Sequence, residues 1–391
     1  MKKLTLIAVL CFLGLQIFAQ DKVKDFTPDA LTDFADFSWI CKQKEPFANL
    51  KAEKIDVRSC DLSNYDLTDL PKETLGKLTF DNKTIWPKKM PKWLNIKKIN
   101  KIGKTPGLNI KKLHKKGITG KGVNIAIIDQ NLGPHQEYAE SLVFYKNLGT
   151  PTPQGSMHGA AVASIAVGKN VGVAPDAKLY FIVADFKENE TNKFDAEPIS
   201  YAIEYILELN ETLPVEDKIS IISISRGFGP EDLNRKYFLE ILKQAKEQGV
   251  LVLTTNDVFT VSRNCYCASP DKISSYTKPA YWFEEEEVPF YEKISDICVP
   301  TDYRIIASPT GEKDYVAYAN GGLSWAVPYL AGIAALAKQV KPDLTPQEFL
   351  EVAHKTAQSV EVKHQSGKSV KNNNFINPQA LIKALQKNNK Q

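Results

Sequence analysis

Val123-Asn124-Ile125-Ala126-Ile127-Ile128-Asp129 decides the architecture of this chain. Six residues rich in β-branched side chains run almost without a polar break, which is how a strand buried on both faces reads. Leu179–Val183, Ile219–Ile224 and Val250–Leu253 have the same character. Between or after them lie segments of helical character, Met157–Val167, Pro198–Leu209 and Glu231–Gln248. Strand–helix–strand alternation of this kind predicts an α/β fold, a mostly parallel central sheet with helices on both sides. Two more helices are expected near the end. Thr345-Pro346-Gln347-Glu348 offers a cap, a first-position proline and a third-position glutamate, and Asn377-Pro378 opens in the same way.

The composition fits a globular protein of one large domain and a smaller segment. The chain has 391 residues, 43% hydrophobic and 25% charged, with a formal net charge of +4. So small a charge gives no case for a nucleic-acid or membrane-surface partner. Lys2 and Lys3, the apolar run Leu4 to Phe18 and the small Ala19 read as a secretory signal over residues 1–20. The expected localisation is secreted or periplasmic, with no membrane attachment after cleavage. Cys11 would leave with the signal. Export would permit disulfides among the other five cysteines: Cys41 with Cys60, and Cys265 or Cys267 with Cys298, with a zinc site from the last three as a weaker alternative.

Residues 21–100 form a separate N-terminal segment in this reading, a removable propeptide or a retained cover, and residues 101–391 the main domain. Within the segment, Asp61-Leu62, Asp66-Leu67 and Asp69-Leu70 repeat at uneven spacing, too few to establish a solenoid. Pro87, Pro91 and the lysines that follow suggest an extended, solvated linker.

Three polar groups stand at the edges of apolar elements. Asp129 ends its strand, and in open parallel sheets reactive groups collect beyond the carboxyl ends of strands. His158 opens a helix of small residues, Gly159, Ala160, Ala161 and Ala163 among them. A helix start disfavours the imidazolium, and a nearby aspartate offsets that and keeps the ring a usable base. Ser324 precedes Trp325-Ala326-Val327-Pro328, the start of a helix apolar almost all round. Its backbone N–H is free to donate to a developing oxyanion, and Gly321 and Gly322 let a substrate backbone come close. Each residue also has a plain reading, a strand-end turn for Asp129 and an N-cap for Ser324. Their chain order, Asp, His, Ser, is one of the known solutions to a nucleophilic triad. His135 is the competing base, read as a turn or cleft residue.

Residues from about 105 to the end resemble the subtilisin-like serine proteases. The resemblance rests on Gly117-Ile118-Thr119-Gly120-Lys121-Gly122-Val123 before Asp129, on His158-Gly159 with Val162-Ala163, on Gly172-Val173-Ala174-Pro175, and on Gly322, Ser324, Ala326 and Pro328. It implies the three-layer subtilisin-like fold and a serine endopeptidase acting on a peptide or protein substrate without a cofactor. Asp129, His158 and Ser324 would be the triad, and Asn256 the oxyanion donor. Ser225, Arg226 and Gly227 would line the substrate strand. The alternative is a catalytically silent homologue acting as a binding or scaffold protein. Several neighbours depart from the family pattern: Gln130 for threonine or serine, Ala161 for a second histidine, Thr255 for glycine, and Leu323 and Trp325 for threonine and methionine. The stretch Ile165 to Val173 is too short for a calcium-holding loop found there in some relatives, and no metal site is expected. Phe259–Val299 reads as an insertion, whose Glu284-Glu285-Glu286-Glu287 is a solvated run or an acidic wall selecting basic side chains.

Overall fold

The structure, a computed structural model, describes residues 25–388 except 44, 50–54, 72–73, 75–76, 150–151, 186, 189–192, 261–295, 300, 302–303, 320 and 364–368. The signal segment, Cys265, Cys267 and the acidic run Glu284–Glu287 lie outside the described residues.

A five-stranded, all-parallel sheet forms the centre. Its spatial order is Leu142–Asn147, Lys178–Val183, Asn124–Asp129, Ile219–Ile224 and Leu251–Leu253. The alternation of side chains along these strands builds two cores. Ile125, Ile127, Phe181 and Ile221 face one layer, where the helices Met157–Val167 and Leu323–Val340 pack. Ala126, Ile128, Ile182 and Ile222 face the other, covered by the helices Glu197–Thr212 and Arg235–Glu247. The sequence order reverses at the central strand: the chain visits the two strands on one side of it before crossing to the other. That is a switch point, and Asp129 stands at its carboxyl end.

The expected elements are present, with one shifted start. The helix expected from Glu231 begins at Arg235. Asp232 accepts the Gly229 N–H across a turn, and Asn234 takes a left-handed φ of 55°, so these polar residues are spent on the turn.

The N-terminal segment departs from the linker reading. The strand Leu78–Asp81 pairs in parallel with Ile55–Asp56 and antiparallel with Tyr315–Tyr318, which itself pairs with Arg304–Ala307. Further parallel bridges join Asp61 to Ile85 and Asp66 to Lys89. The stretch with the Asp-Leu repeats is therefore one coil, stacked on a second that runs from Leu78 to Lys89. Asp61 and Asp66 accept the N–H two residues on and turn the chain, while Leu62 and Leu67 point inward, fully buried. Leu94 and Ile99 are buried too, and Ile96–Gly103 is a helix, so the lysine-rich stretch is one face of a packed element and the boundary expected at residue 100 falls inside it. Ile305 and Ala317 share this third core, and a Cys41–Cys60 disulfide closes it. Upstream, Asp29, Thr32, Asp33 and Ala35 hydrogen bond to Tyr145, Leu132, Pro153 and Pro309 of the main domain.

Candidate active site

Asp129 and His158 meet. The imidazole Nδ1–H donates to Asp129 Oδ1 at 2.7 Å, with the carboxylate side chain 5% and the imidazole 26% exposed. The Gln130 N–H donates to the same carboxylate oxygen at 2.8 Å. Burial pushes the imidazole pKa down. The Asp129 charge and hydrogen bond, with the Asp185 charge behind them, push it up further, and it ends above the ordinary histidine value.

Two neighbouring bonds hold the His158 helix in register. Ser156 caps it, its Oγ accepting the His158 N–H at 3.0 Å and donating to Gln130 Oε1 at 2.5 Å. Gln130 Nε2 donates in turn to Asp185 Oδ2 at 3.1 Å. The glutamine that departs from the family pattern is thus a bridge between the end of the Asp129 strand and the cap of the His158 helix. Gly159 is required by contact: a Cβ there would lie 2.6 Å from the carbonyl oxygens of Gln130 and Asn131.

Ser324 is the second residue of the helix Leu323–Val340, so its N–H has no acceptor within the helix. Its carbonyl accepts the Ser225 hydroxyl at 2.9 Å. The next residue, Trp325, is 6% exposed and sets its ring 5.3 Å from the His158 ring. The serine helix and the imidazole are therefore packed neighbours, although no hydrogen bond among the described residues joins Ser324 Oγ to His158. In unliganded sites such a bond is often long and tightens with substrate. Farther along, Gly332 lets this helix lie against Val173 of the Gly172–Pro175 turn.

The other expected residues gather on the same side. Thr255 N–H donates to Arg226 O at 3.3 Å, and Asn256 lies against Gly227, where a Cβ would clash with its amide at 2.3 Å. The Asn256 side-chain amide donates to Phe228 O at 3.3 Å, a local bond. The Arg226 guanidinium lies 3.6 Å over the Phe194 ring. His135 is not a cleft residue. It is buried, Nε2 hydrogen bonds to Asp314 O at 2.7 Å, and Nδ1 accepts the Glu137 N–H at 3.1 Å.

The short loop after the His158 helix is held by Glu137, a buried carboxylate that accepts from Asn170 N at 2.7 Å, Asn170 Nδ2 at 3.0 Å, Val171 N at 3.2 Å and the Tyr315 hydroxyl. Sequence reasoning missed Glu137, Gln130 as a bridge, and the Trp325 contact. The last two had a signal, since Gln130 adjoins Asp129 and Trp325 adjoins Ser324; Glu137 had none.

A family model described as the Subtilase family matches residues 120–274. Among curated proteins, the chain is 23% identical to the serine protease AprX of Bacillus subtilis over 60% of its own length and 61% of that protein's. It is 24% identical to the subtilisin-like protease PopC of Myxococcus xanthus, over 60% of its own length and 55% of that protein's. A third relative, the minor extracellular protease Epr of Bacillus subtilis, is 25% identical over 63% of this chain and 37% of its own length. The chain thus spans between about a third and three fifths of the curated relatives it matches. Among solved structures, the prenylagaramide maturation protease PagA aligns with a TM-score of 0.48 and 18% identity over 71% of this chain and 98% of that one. Subtilase cytotoxin SubAB aligns with a TM-score of 0.49 and 15% identity, over 72% of this chain and 96% of that one. With its motifs in the family's order on a parallel sheet whose switch point carries Asp129, the chain is similar to the subtilase family over residues 120–274 and to curated serine proteases at low identity, as a divergent relative.

Proposed function

We propose that this protein is an exported serine endopeptidase. Ser324 Oγ attacks the carbonyl carbon of a peptide bond, and His158 Nε2 takes the hydroxyl proton. The tetrahedral oxyanion accepts from the Ser324 N–H and from Asn256. His158 then returns the proton to the leaving amine, an acyl-enzyme remains, and water, deprotonated by the same imidazole, hydrolyses it. Asp129 holds the Nδ1–H tautomer and stabilises the imidazolium. Ser225, Arg226 and Gly227 offer a backbone edge to an extended substrate.

The observation that carries this reading is the 2.7 Å Asp129–His158 bond, in a pair packed through Trp325 against the helix that bears Ser324. For Asn256 to serve, its amide must leave Phe228 O, and a 3.3 Å bond to a neutral carbonyl is a weak competitor for a developing oxyanion. Export is supported by the leading segment and the Cys41–Cys60 disulfide.

A silent scaffold is the second reading, and the local engagement of the Asn256 amide is what favours it. Incubating the secreted protein with an unfolded protein substrate and sequencing the new N-termini separates the two. The endopeptidase reading expects internal cleavage lost in Ser324→Ala. Intact substrate beside folded wild-type protein would leave the scaffold.

A further inference from the structure

Arg58 lies in the N-terminal segment, far along the chain from the site, yet its side chain is buried at 9% exposure. Taking such a charge out of water is costly unless every donor is matched. Asp56 matches it with contacts of 2.6 to 3.1 Å, and the Phe37 ring covers it at 4.6 Å. One donor is spent elsewhere: Nη1 hydrogen bonds to the Tyr318 hydroxyl at 3.1 Å. Buried ion pairs add little net stability over apolar packing, and their best-attested use is to fix one arrangement.

The arrangement fixed here leads to the site. Tyr318 is 3% exposed, and its ring lies 5.7 Å from Trp325. Trp325 adjoins Ser324 and lies 5.3 Å from His158. The strand carrying Tyr318 is also gripped from its other edge, where Val316 and Ala317 pair with Asp81 and Phe80. Tyr318 and Trp325 thus form a line of ring contacts from Arg58 to the imidazole and to the residue beside Ser324.

We propose that Arg58 is a positioning residue of the active site, setting Ser324 and His158 through Tyr318 and Trp325, so that the N-terminal segment completes the site and stays with the working protein. The inference rests on the peptidase reading above. The charged groups facing Arg58 are Asp56 and Asp81, and those facing His158 are Asp129 and Asp185.

The test uses the full secreted chain with Arg58→Met, Arg58→Lys and Tyr318→Phe, the last keeping the ring and removing only the hydroxyl. Two readouts are compared: the pH dependence of fluorophosphonate labelling, and the His158 ring C–H titration by NMR, assigned by its loss in His158→Gln. Arg58→Met is expected to label about 10–100-fold more slowly, since small displacements of reacting groups cost that much. The His158 midpoint moves up as water reaches a ring that burial now holds down. Arg58→Lys recovers part of the rate, and Tyr318→Phe changes both readouts in the same direction as Arg58→Met. A folded Arg58→Met with wild-type labelling and an unmoved midpoint overturns the inference, as does a change in thermal stability alone. If Arg58→Met fails to fold, Tyr318→Phe decides by the same criteria. If the folded wild type does not label, the peptidase reading fails, and the NMR midpoint alone judges Arg58: a shift supports the contact path, and no shift overturns it.

Discussion

His158 must be neutral to accept a proton, and its surroundings raise the pH at which it becomes so. Because its folded pKa lies above the unfolded value of about 6.5, the Asp129 pair stabilises the fold fully below that pH. This contribution is lost as pH rises through the higher folded value, over the same window in which the proposed activity is expected to appear. Stability and turnover therefore run in opposite directions there. Asp129→Asn removes the charge and the preferred tautomer. It is expected to lower kcat by about 10⁴ and to move the acid limb of the kcat/KM profile to lower pH. Stopped assays between pH 5 and 9 read both effects. Asp129, His158 and Ser324, the proposed triad, stand out in the sequence because each terminates or opens an apolar run, where a polar group has no packing role. Arg58 was not legible, because its hydrogen-bond partner Tyr318 is 260 residues away and nothing local to either marks the pair.

At the scale of elements, the His158 helix is set by contact and capping rather than by an amphipathic face, since Gly159 through Val167 are all buried. Gly159→Ala would press a methyl group into two backbone carbonyls that the strand end cannot withdraw. The expected cost is about 1–3 kcal/mol, with turnover falling further than stability because the imidazole moves with its helix. Urea unfolding beside peptide assays separates the two losses. Glu137 does comparable service for the loop that follows. Burial alone would raise its pKa, yet donors from Tyr315, Asn170 and Val171 bring it below the ordinary carboxylate value. A depressed folded pKa gives stability that is present above the unfolded value of about 4.3 and lost as pH falls through the folded one. Glu137→Gln should therefore cost about 2–3 kcal/mol at pH 7, with the gap to wild type narrowing as pH falls through the folded pKa, as urea midpoints across that range would read. The strands were legible because a six-residue β-branched run has one reading in an α/β pattern. Helix starts were legible where a cap is explicit: Thr345 accepts the Glu348 N–H at 3.2 Å, and Asn377 accepts that of Ala380 at 3.2 Å. They were not legible at Asn234, where polar residues serve a turn and resemble a helix's first turn.

A shared sheet of mixed strand direction joins the parallel-sheet part of the molecule to the two-coil N-terminal segment. The sequence offered only half of this. The Asp-Leu repeats were visible, but the coil beneath them, from Leu78 to Lys89, carries no matching repeat. The Cys41–Cys60 disulfide closes a loop of 19 residues in this segment. Replacing both cysteines by alanine is expected to cost about 3 kcal/mol by the chain-entropy estimate, measured as a fall in the urea midpoint. Since the segment packs beside Tyr318, the same double variant should also slow catalysis per folded molecule.

Intact-mass spectrometry after exposure to a fluorophosphonate tests the central claim most directly. One covalent adduct per folded molecule is predicted, mapped to Ser324, absent in Ser324→Ala and strongly slowed in His158→Ala. Folded wild-type protein without an adduct, or an adduct that persists in Ser324→Ala, would contradict the triad.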